Sequence, residues 1–299
     1  MTINNVFKKE LYNQTVLQLF KKYDSSWCFF MLPQGLGDVL FCLMYMEEFK
    51  IRNPEKKICF LVSKKHILDL VNLFSSVIDE IFFLDFNKFD INVIFQKYEK
   101  QFYCTYDDIY NTKFPSDNLC YSVRSAMGLP FNSKKALPSL NIISKNSHKF
   151  CLIAPDANSC EPCVSDSKWT ELGSFFSQLG YEVYFNVSSD NRFKNFKHLF
   201  PTVNETISLL NNKNSFFIGY RSGLCDVVAA FCECKQLIIY PNNRKKNEFS
   251  NIKNYNENPN LSYMKYCSLS KIFPEKPNIY ELMYSPVNFF NDVRGIVNG

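Results

Sequence analysis

Short apolar runs alternate with amphipathic stretches along most of this 299-residue chain. In the first half, the runs that predict buried strands lie at 27–32, 58–62, 81–84 and 102–105. In the second half, the corresponding runs lie at 150–154, 182–187, 215–219 and 236–240. The stretches between the runs have the spacing of amphipathic helices. Because continuous apolar strands separated by helices are typical of parallel sheets covered on both faces, the pattern predicts an α/β protein.

The alternation lapses in the middle of the chain, between about Pro130 and Lys149. The two prolines and many polar residues of this stretch predict a linker. We therefore expect two domains of the same class, one at residues 1–140 and one at residues 150–285. A C-terminal helix follows at 286–299, and we expect it to pack back toward the first domain.

Composition and charge narrow the classes of partner. The net charge is +5 and the pI is near 8.5, below the value of about 9 that is typical of nucleic-acid-binding domains, so we expect no nucleic-acid partner. The mild positive excess suits an anionic small molecule or an anionic membrane surface equally well. No stretch approaches the ~20 apolar residues that span a bilayer, and the start MTINNVFKKELYNQT lacks the apolar core of a signal peptide. These features predict a cytoplasmic protein, with a peripheral contact to the inner membrane as its only membrane association.

The 12 cysteines are expected to be reduced thiols in that compartment. Two close pairs, Cys160 with Cys163 and Cys232 with Cys234, together offer the four thiols that can hold zinc or iron. The predicted strands and helices place the two pairs at opposite edges of the second sheet. We therefore expect no shared metal site, and the sequence assigns neither pair a role.

A glycine-containing turn links the first predicted strand to the helix that follows it. Its residues include Gln34, Gly35, Gly37 and Asp38. The glycines let the backbone approach a ligand and turn sharply into a helix whose N-terminus favours negative charge. The spacing is neither that of a dinucleotide fingerprint nor that of a Walker loop. Asp38 either caps the helix or acts as a general base at the carboxyl edge of the sheet, and the sequence leaves both roles open.

A polar loop containing Asn158 follows the predicted strand at 150–154, and Lys168 lies where the next helix opens. A lysine in this place either reaches a phosphate held over the strand ends or lies in solvent.

The predicted strand at 215–219 runs into Arg221, Ser222 and Gly223. A Ser-Gly pair that opens a helix presents backbone N–H groups and a hydroxyl to an anion. Arg221 either donates its planar fork to a diphosphate or pairs with Asp226, five residues on.

Three segments resemble the heptosyltransferase-type family of bacterial glycosyltransferases. They are Gly37-Asp38-Val39-Leu40, Lys168-Trp169 with Glu171-Leu172, and Tyr220-Arg221-Ser222-Gly223 through Ala229-Ala230. In the last segment Arg221 replaces the family's acidic residue before Ser/Thr-Gly, and Asp226 replaces its histidine. The resemblance covers most of the chain in order, and these differences leave the identity of the donor sugar open.

The resemblance implies the GT-B architecture, in which two Rossmann-like domains face each other across a cleft. The first domain would bind the acceptor with its loop at Gln34, Gly35 and Gly37, and Asp38 would deprotonate the acceptor hydroxyl. The second domain would hold a nucleotide-diphosphate sugar, and its donor-binding residues would be Asn158, Lys168, Arg221, Ser222, Gly223 and Asp226.

The resemblance also implies an inverting transfer that needs no metal and no cofactor. The acceptor would be a surface glycan of a bacterium: lipopolysaccharide, capsule or glycoprotein. Two alternatives remain open, a catalytically inactive protein that binds a nucleotide sugar as a partner, and a GT-B-like sugar-nucleotide epimerase or hydrolase.

Overall fold

The computed structural model describes residues 3–31, 35–85, 88, 90–104, 119–140, 148–157, 162–188, 192–241 and 267–298. These residues form a mixed α/β structure with two sheets, and all of the paired strands are parallel. The chain divides into two compact units, residues 1–115 with 120–138 and residues 116–119 with 139–299. The predicted α/β class is therefore confirmed.

The first unit is built on the sheet of the N-terminal half. Its strands are β1 Trp27–Phe30, β2 Lys57–Val62, β3 Glu80–Phe83 and β4 Phe102–Tyr103. Its helices are α1 Ile3–Phe20, α2 Leu36–Leu43, α3 Met46–Arg52, α4 Lys65–Asn72, α5 Ile91–Tyr98 and α6 Leu119–Ala126. The strand order is β3-β2-β1-β4, so the first strand lies inside the sheet.

Packing against the first strand explains why α1 forms. Val16 and Phe20 lie four residues apart, on one face of the helix, and both are buried in a core cluster with Phe29 of β1. The Phe20 ring lies 5.3 Å from that of Phe29 and 5.1 Å from that of Tyr23. This aromatic contact attaches the helix to the sheet.

The second unit is built on the sheet of the C-terminal half. Its strands are β5 Phe150–Ala154, β6 Glu182–Phe185, β7 Lys197–His198, β8 Phe216–Tyr220, β9 Lys235–Tyr240 and β10 Ile279–Met283. Its helices are α7 Asp166–Gln178, α8 Val203–Leu210, α9 Gly223–Phe231, α10 Leu269–Ile272 and α11 Phe289–Asn298. The strand order is β10-β9-β8-β5-β6-β7.

Numbered from its own first strand, this order is 3-2-1-4-5-6, the order of the dinucleotide-binding Rossmann fold. The chain leaves β5 toward β6 and β7, and then returns to β8 on the other side of β5. The first unit reverses in the same way between β1 and β4. In open parallel sheets, the crevice at the carboxyl ends of the strands beside such a reversal is where ligands bind.

The last helix, α11, packs on the core of the second unit. Phe289 and Val293 are fully buried there, and the Phe289 ring lies 6.5 Å from that of Trp169 in α7. The expected return of this helix toward the first domain stays a prediction. None of the helices in the described part of the chain is long and apolar enough to cross a membrane.

Two helix glycines give a direct test of core packing. A Cβ added at Gly173 in α7 would lie 2.8 Å from the Phe196 ring and 3.1 Å from the Phe185 ring, whereas one added at Gly295 in α11 would meet nothing within 4 Å. We expect Gly173→Ala to lower the free energy of unfolding by about 1–3 kcal/mol through overpacking. The matched control Gly295→Ala should raise it by about 0.5–1 kcal/mol. Urea denaturation measures both, and equal stability of the two variants would contradict the packing described for α7.

Candidate functional site

In the first unit, the carboxylate of Asp38 lies over the start of its own helix. Gly35 is the N-cap of α2, with φ −118° and ψ 129°, a conformation open to any residue. A Cβ on Gly35 would lie 2.4 Å from Oδ2 of Asp38. A side chain at this position would displace the Asp38 carboxylate, while the backbone conformation itself suits any residue.

The place of Asp38 at the carboxyl edge of the first sheet is set by its neighbours. Val39 and Leu40 are completely buried, so they anchor the first turn of α2, while Asp38 is only partly buried. The positive end of the helix dipole stabilises an anionic side chain in this turn. Gly37 is a buried residue of the same turn, and Gln34 lies outside the described residues. Gly35 is the N-cap residue of α2, so Asp38 lies in the first turn and is not the capping residue, and its role as base stays a prediction.

In the second unit, Lys168 extends from the first turn of α7. Ser165 caps this helix, and its hydroxyl accepts a hydrogen bond of 3.4 Å from the backbone N–H of Lys168. The Lys168 ammonium donates to the carbonyl of Pro286 at 2.6 Å and lies 5.6 Å from the ring centre of Tyr284. An ammonium has three donors, and this carbonyl takes one of them. A cation in the first turn opposes the helix dipole, so the stability of α7 does not explain its presence.

Tyr220 attaches the loop before α7 to the end of β8. Its hydroxyl accepts hydrogen bonds from the backbone N–H groups of Cys163 at 2.9 Å and Val164 at 2.6 Å. Its ring is buried and lies edge-on to Trp169, with the ring centres 5.4 Å apart. Burial raises the pKa of this hydroxyl above its ordinary value. The start of α7 and the turn after β8 are thereby held together on the two sides of the reversal between β5 and β8.

The turn after β8 presents the start of α9. Ser222 is the N-cap residue in extended conformation, with φ −153°, and its side chain makes no capping hydrogen bond. Ser222 and Gly223 are partly exposed, whereas α9 is buried from Cys225 to Ala230. The first N–H groups of a helix have no partner within the helix. This helix start therefore offers backbone donors and a hydroxyl to an anion, as the sequence predicts.

Arg221 and Asp226 form a buried bidentate ion pair. Nη1 of Arg221 lies 2.9 Å from Oδ2 of Asp226, Nη2 lies 2.6 Å from Oδ1, and both side chains are 3% exposed. Burial raises the pKa of Asp226 to about 6 and the facing guanidinium opposes that rise, so the carboxylate is ionised at neutral pH. Of the two alternatives left open for Arg221, the structure therefore has the pairing with Asp226. Direct contact of these two residues with a donor stays a prediction.

The same guanidinium begins a network that sequence analysis did not detect. Nε of Arg221 donates to the carbonyl of Cys267 at 2.9 Å, and the Tyr240 hydroxyl lies 3.1 Å from that carbonyl and 2.5 Å from Oε1 of Glu281. Glu281 also accepts hydrogen bonds from the Ser268 hydroxyl at 2.7 Å and the Leu269 N–H at 2.8 Å. Burial raises the pKa of Glu281, but these hydrogen bonds outweigh it and the pKa is lowered. The network fixes the start of α10 to the end of β9 and the middle of β10.

A second arginine, Arg192, was also missed. It follows β6, and its Nη1 and Nη2 lie 3.0 Å and 2.5 Å from the two carboxylate oxygens of Asp156, just after β5. Its Nη1 lies 3.9 Å from the carboxylate of Asp166, the first residue of α7. Asn158, which was predicted between these elements, lies outside the described residues.

The described cysteines do not converge on one place. Cys163 lies in the loop before α7, while Cys232 and Cys234 are fully buried between the end of α9 and β9. Cys160 lies outside the described residues. In the part of the chain that the structure describes, no group of three or more His, Cys, Asp or Glu side chains is arranged to hold a metal ion.

The sequence matches no model of a known protein family and no curated protein. Solved structures match in fold. The glycosyl transferase family 9 protein of Veillonella parvula is 10% identical with a TM-score of 0.55, and the match covers 92% of this chain and 90% of that one. The ADP-heptose LPS heptosyltransferase II of E. coli is 10% identical with a TM-score of 0.53, over 90% of this chain and 98% of that one. This chain has the heptosyltransferase fold. The predicted GT-B fold class is therefore confirmed.

A third match covers a smaller share of both chains. The dodecameric iron-containing heptosyltransferase TibC, in complex with ADP-D-β-D-heptose, is 16% identical with a TM-score of 0.50 over 72% of this chain. The chain spans 57–58% of the length of the TibC structures it matches. The heptosyltransferase fold is thus shared at low identity, and it is the fold alone that these matches establish.

The buried ion pair can be tested by breaking and replacing it. We expect Asp226→Ala to lower the free energy of unfolding by about 3–5 kcal/mol, because it leaves the guanidinium of Arg221 buried without its counter-charge. The double variant Arg221→Met with Asp226→Leu should recover most of that loss. Chemical denaturation measures all of these variants. Glu182→Ala, which breaks an exposed pair with Lys197, is the control and should cost about 1 kcal/mol or less. If Asp226→Ala costs no more than this control, the pair does not hold the turn.

Proposed function

We propose that this protein is a glycosyltransferase that moves a sugar from a nucleotide-diphosphate donor to an acceptor hydroxyl. One observation carries the proposal: the starts of α7 and α9 flank the reversal between β5 and β8, at the carboxyl edge of a sheet with Rossmann strand order. Nucleotides bind at this place in such sheets, with phosphates at helix N-termini. The shared heptosyltransferase fold supports the same conclusion, as two of the matching proteins are named as heptosyltransferases.

The donor diphosphate would be held by the second unit. The Ser222-Gly223 helix start would supply backbone N–H groups, and the Lys168 ammonium would supply a positive charge. Such donors stabilise the charge that develops on the leaving diphosphate. We propose that Arg221 and Asp226 act as positioning residues for this turn, and that the reaction runs without a metal.

The reaction would be a single in-line displacement with inversion at the anomeric carbon. The acceptor oxygen forms a bond to that carbon as the bond from the carbon to the diphosphate oxygen breaks, and the diphosphate leaves with the bonding electrons. The proton of the acceptor hydroxyl passes to the carboxylate of Asp38, which acts as general base. We propose that the acceptor is a surface glycan and is bound by the first unit.

Replacing the proposed base separates chemistry from donor binding. We expect Asp38→Asn to lower the transfer rate by about 10²- to 10⁴-fold, because an amide cannot accept the proton. The affinity for the donor should be unchanged, since the residues proposed to hold it belong to the second unit. A thermal-shift screen of UDP-, GDP-, ADP- and CDP-sugars in EDTA identifies the donor. A donor present at 100 times its dissociation constant should raise the free energy of unfolding by about 2.7 kcal/mol.

The matched control is Glu47→Gln, which removes an exposed carboxylate from α3 of the same unit and should leave transfer unchanged. Donor affinity that falls together with the rate in Asp38→Asn would contradict the assignment of the base. Donor binding by the wild type without transfer or hydrolysis would indicate an inactive partner protein. Conversion of the donor without transfer would indicate an epimerase or hydrolase.

The close contact between Gly35 and Asp38 gives a second test of the base. Because a Cβ at residue 35 would lie 2.4 Å from the carboxylate oxygen, Gly35→Ala must turn the Asp38 side chain away. Displacing a reacting group by about 1 Å can cost about 10²-fold in rate. We expect that loss in kcat with little change in melting temperature, because φ −118° suits alanine. Gly295→Ala is the control, and equal kcat in the two variants would argue against a role for the Asp38 carboxylate.

A further inference from the structure

The Lys168 ammonium is contacted by one short segment of the second unit, the connection between β10 and α11. The ammonium donates a hydrogen bond of 2.6 Å to the carbonyl of Pro286 and lies 5.6 Å from the centre of the Tyr284 ring. A cation within about 6 Å of a tyrosine ring is attracted by the partial negative charge of the ring face. The segment therefore offers the lysine two groups of partial negative charge, a carbonyl and an aromatic ring.

This segment is held in place by contacts of its own. The backbone N–H of Tyr284 donates to the carbonyl of Tyr240 at 2.9 Å, and the Tyr284 ring is buried 5.4 Å from that of Phe289. The N–H of Phe289 donates to the carbonyl of Ser285 at 3.0 Å. The chain is thus fixed on both sides of Pro286 by contacts in which Lys168 takes no part. The segment can therefore orient the lysine, while the lysine is not needed to fix the segment.

A cluster of aromatic rings joins the segment to the start of α7. Trp169, the residue after Lys168, is fully buried, and its ring lies 6.5 Å from that of Phe289. Because the Phe289 ring contacts both Trp169 and Tyr284, the three rings set the distance between the helix start and the segment. The ammonium is thereby kept beside the start of α7, at the edge of the sheet where nucleotides bind in this strand order.

Helix stability does not account for the orientation of Lys168, because a cation in the first turn is repelled by the positive end of the helix dipole. A lysine side chain has many rotamers, and this freedom is lost when the ammonium is held in one place. The loss favours a ligand that binds afterwards, since the ligand meets a cation that is already ordered. The Pro286 carbonyl takes one of the three donors of the ammonium.

We infer that Tyr284 is a positioning residue for the donor diphosphate, and that its ring and the Pro286 carbonyl hold the Lys168 ammonium where a phosphate binds. Pro286 contributes only its backbone, so the ring of Tyr284 is the part that a substitution can remove. This inference rests on the proposed function and adds to it a residue that acts through Lys168 without itself contacting the donor.

The test compares nucleotide binding by the full chain and its variants in EDTA. Calorimetric titration with ADP, GDP, UDP and CDP identifies the nucleoside diphosphate that the wild type binds, and the corresponding nucleoside is titrated alongside. We expect Tyr284→Leu to weaken binding of the diphosphate by about 3- to 30-fold, the range of a cation–π contact, and to leave the nucleoside unchanged. Tyr284→Phe should bind the diphosphate within about twofold of the wild type, because it keeps the ring.

A double-variant cycle shows whether Tyr284 acts through the lysine. Lys168→Gln should itself weaken the diphosphate, and adding Tyr284→Leu should then cause no further loss, because the cation that the ring holds is gone. Losses that multiply would overturn the inference, since they would mean that the ring acts independently of Lys168. If Tyr284→Leu does not fold, Tyr284→Met takes its place in every comparison, because an unbranched side chain adapts to the space of the ring.

The matched control is Tyr181→Leu. The Tyr181 ring packs against the same core with the Lys149 ammonium 5.5 Å from its centre, and that ammonium also donates to a carbonyl, that of Leu179, but the pair lies beyond the other end of α7. Diphosphate affinity in Tyr284→Leu equal to that in Tyr181→Leu would overturn the inference and leave the proposed function standing. Equal losses for diphosphate and nucleoside would also overturn it, because they would indicate a structural role. A wild-type chain that binds none of the four nucleotides would contradict the proposed function and this inference together.

Discussion

The position of the first strand within each sheet is the constraint on which the candidate sites depend. Since β1 and β5 both lie inside their sheets, the chain must reverse direction beside each of them. Such a reversal leaves loops diverging at the carboxyl edge, and the first turns of α2, α7 and α9 begin there. The apolar residues of the strands hold that edge in place, because β5 and β8 are buried along their whole length. Polar residues in the turns are thereby held at the edge without contributing to the core.

A charge that is buried beside that edge requires a partner. The turn after β8 contains such a charge, the guanidinium of Arg221. An arginine that is 3% exposed would be strongly destabilising if it were alone, and Asp226 removes that cost through two short contacts. Arg221 and Asp226, the two residues that differ from the pattern of the family that the sequence resembles, meet in one ion pair. Both side chains of the pair are buried, whereas Ser222 and Gly223 are partly exposed.

How far the fold follows from the sequence depends on the length and polarity of each element. Strands such as β5 and β8 were predicted because they are continuous apolar runs. Strand β10 was missed because it lies at the sheet edge, where Glu281 interrupts its apolar pattern. Helix α1 was missed because half of its residues are polar, and its place depends on a tertiary contact between Phe20 and Phe29.

The same distinction applies to the candidate site. Asp38 and the Ser222-Gly223 turn were found because each lies in a glycine-containing turn between a predicted strand and a predicted helix, and Lys168 was found because it opens a predicted helix. Arg192 gave no such signal, because no glycine turn or predicted helix start lies beside it and its place depends on a carboxylate 36 residues away. Glu281 is similar, as its role comes from hydrogen bonds to α10, which precedes it in the chain.

The helix starts of the second unit differ in how their first backbone donors are satisfied. Helix α8 starts beside the edge strand β7, and Thr202 and Glu205 form a complete capping box that satisfies its first backbone donors. Helix α7 starts beside the reversal between β5 and β8 and is capped by Ser165, whereas α9 starts there without a capping hydrogen bond from the side chain of Ser222. An uncapped helix start costs about 1 kcal/mol relative to a capped one. Under the proposed function, a phosphate of the donor takes the place of the missing cap at α9, while α7 keeps its cap and contributes the Lys168 ammonium.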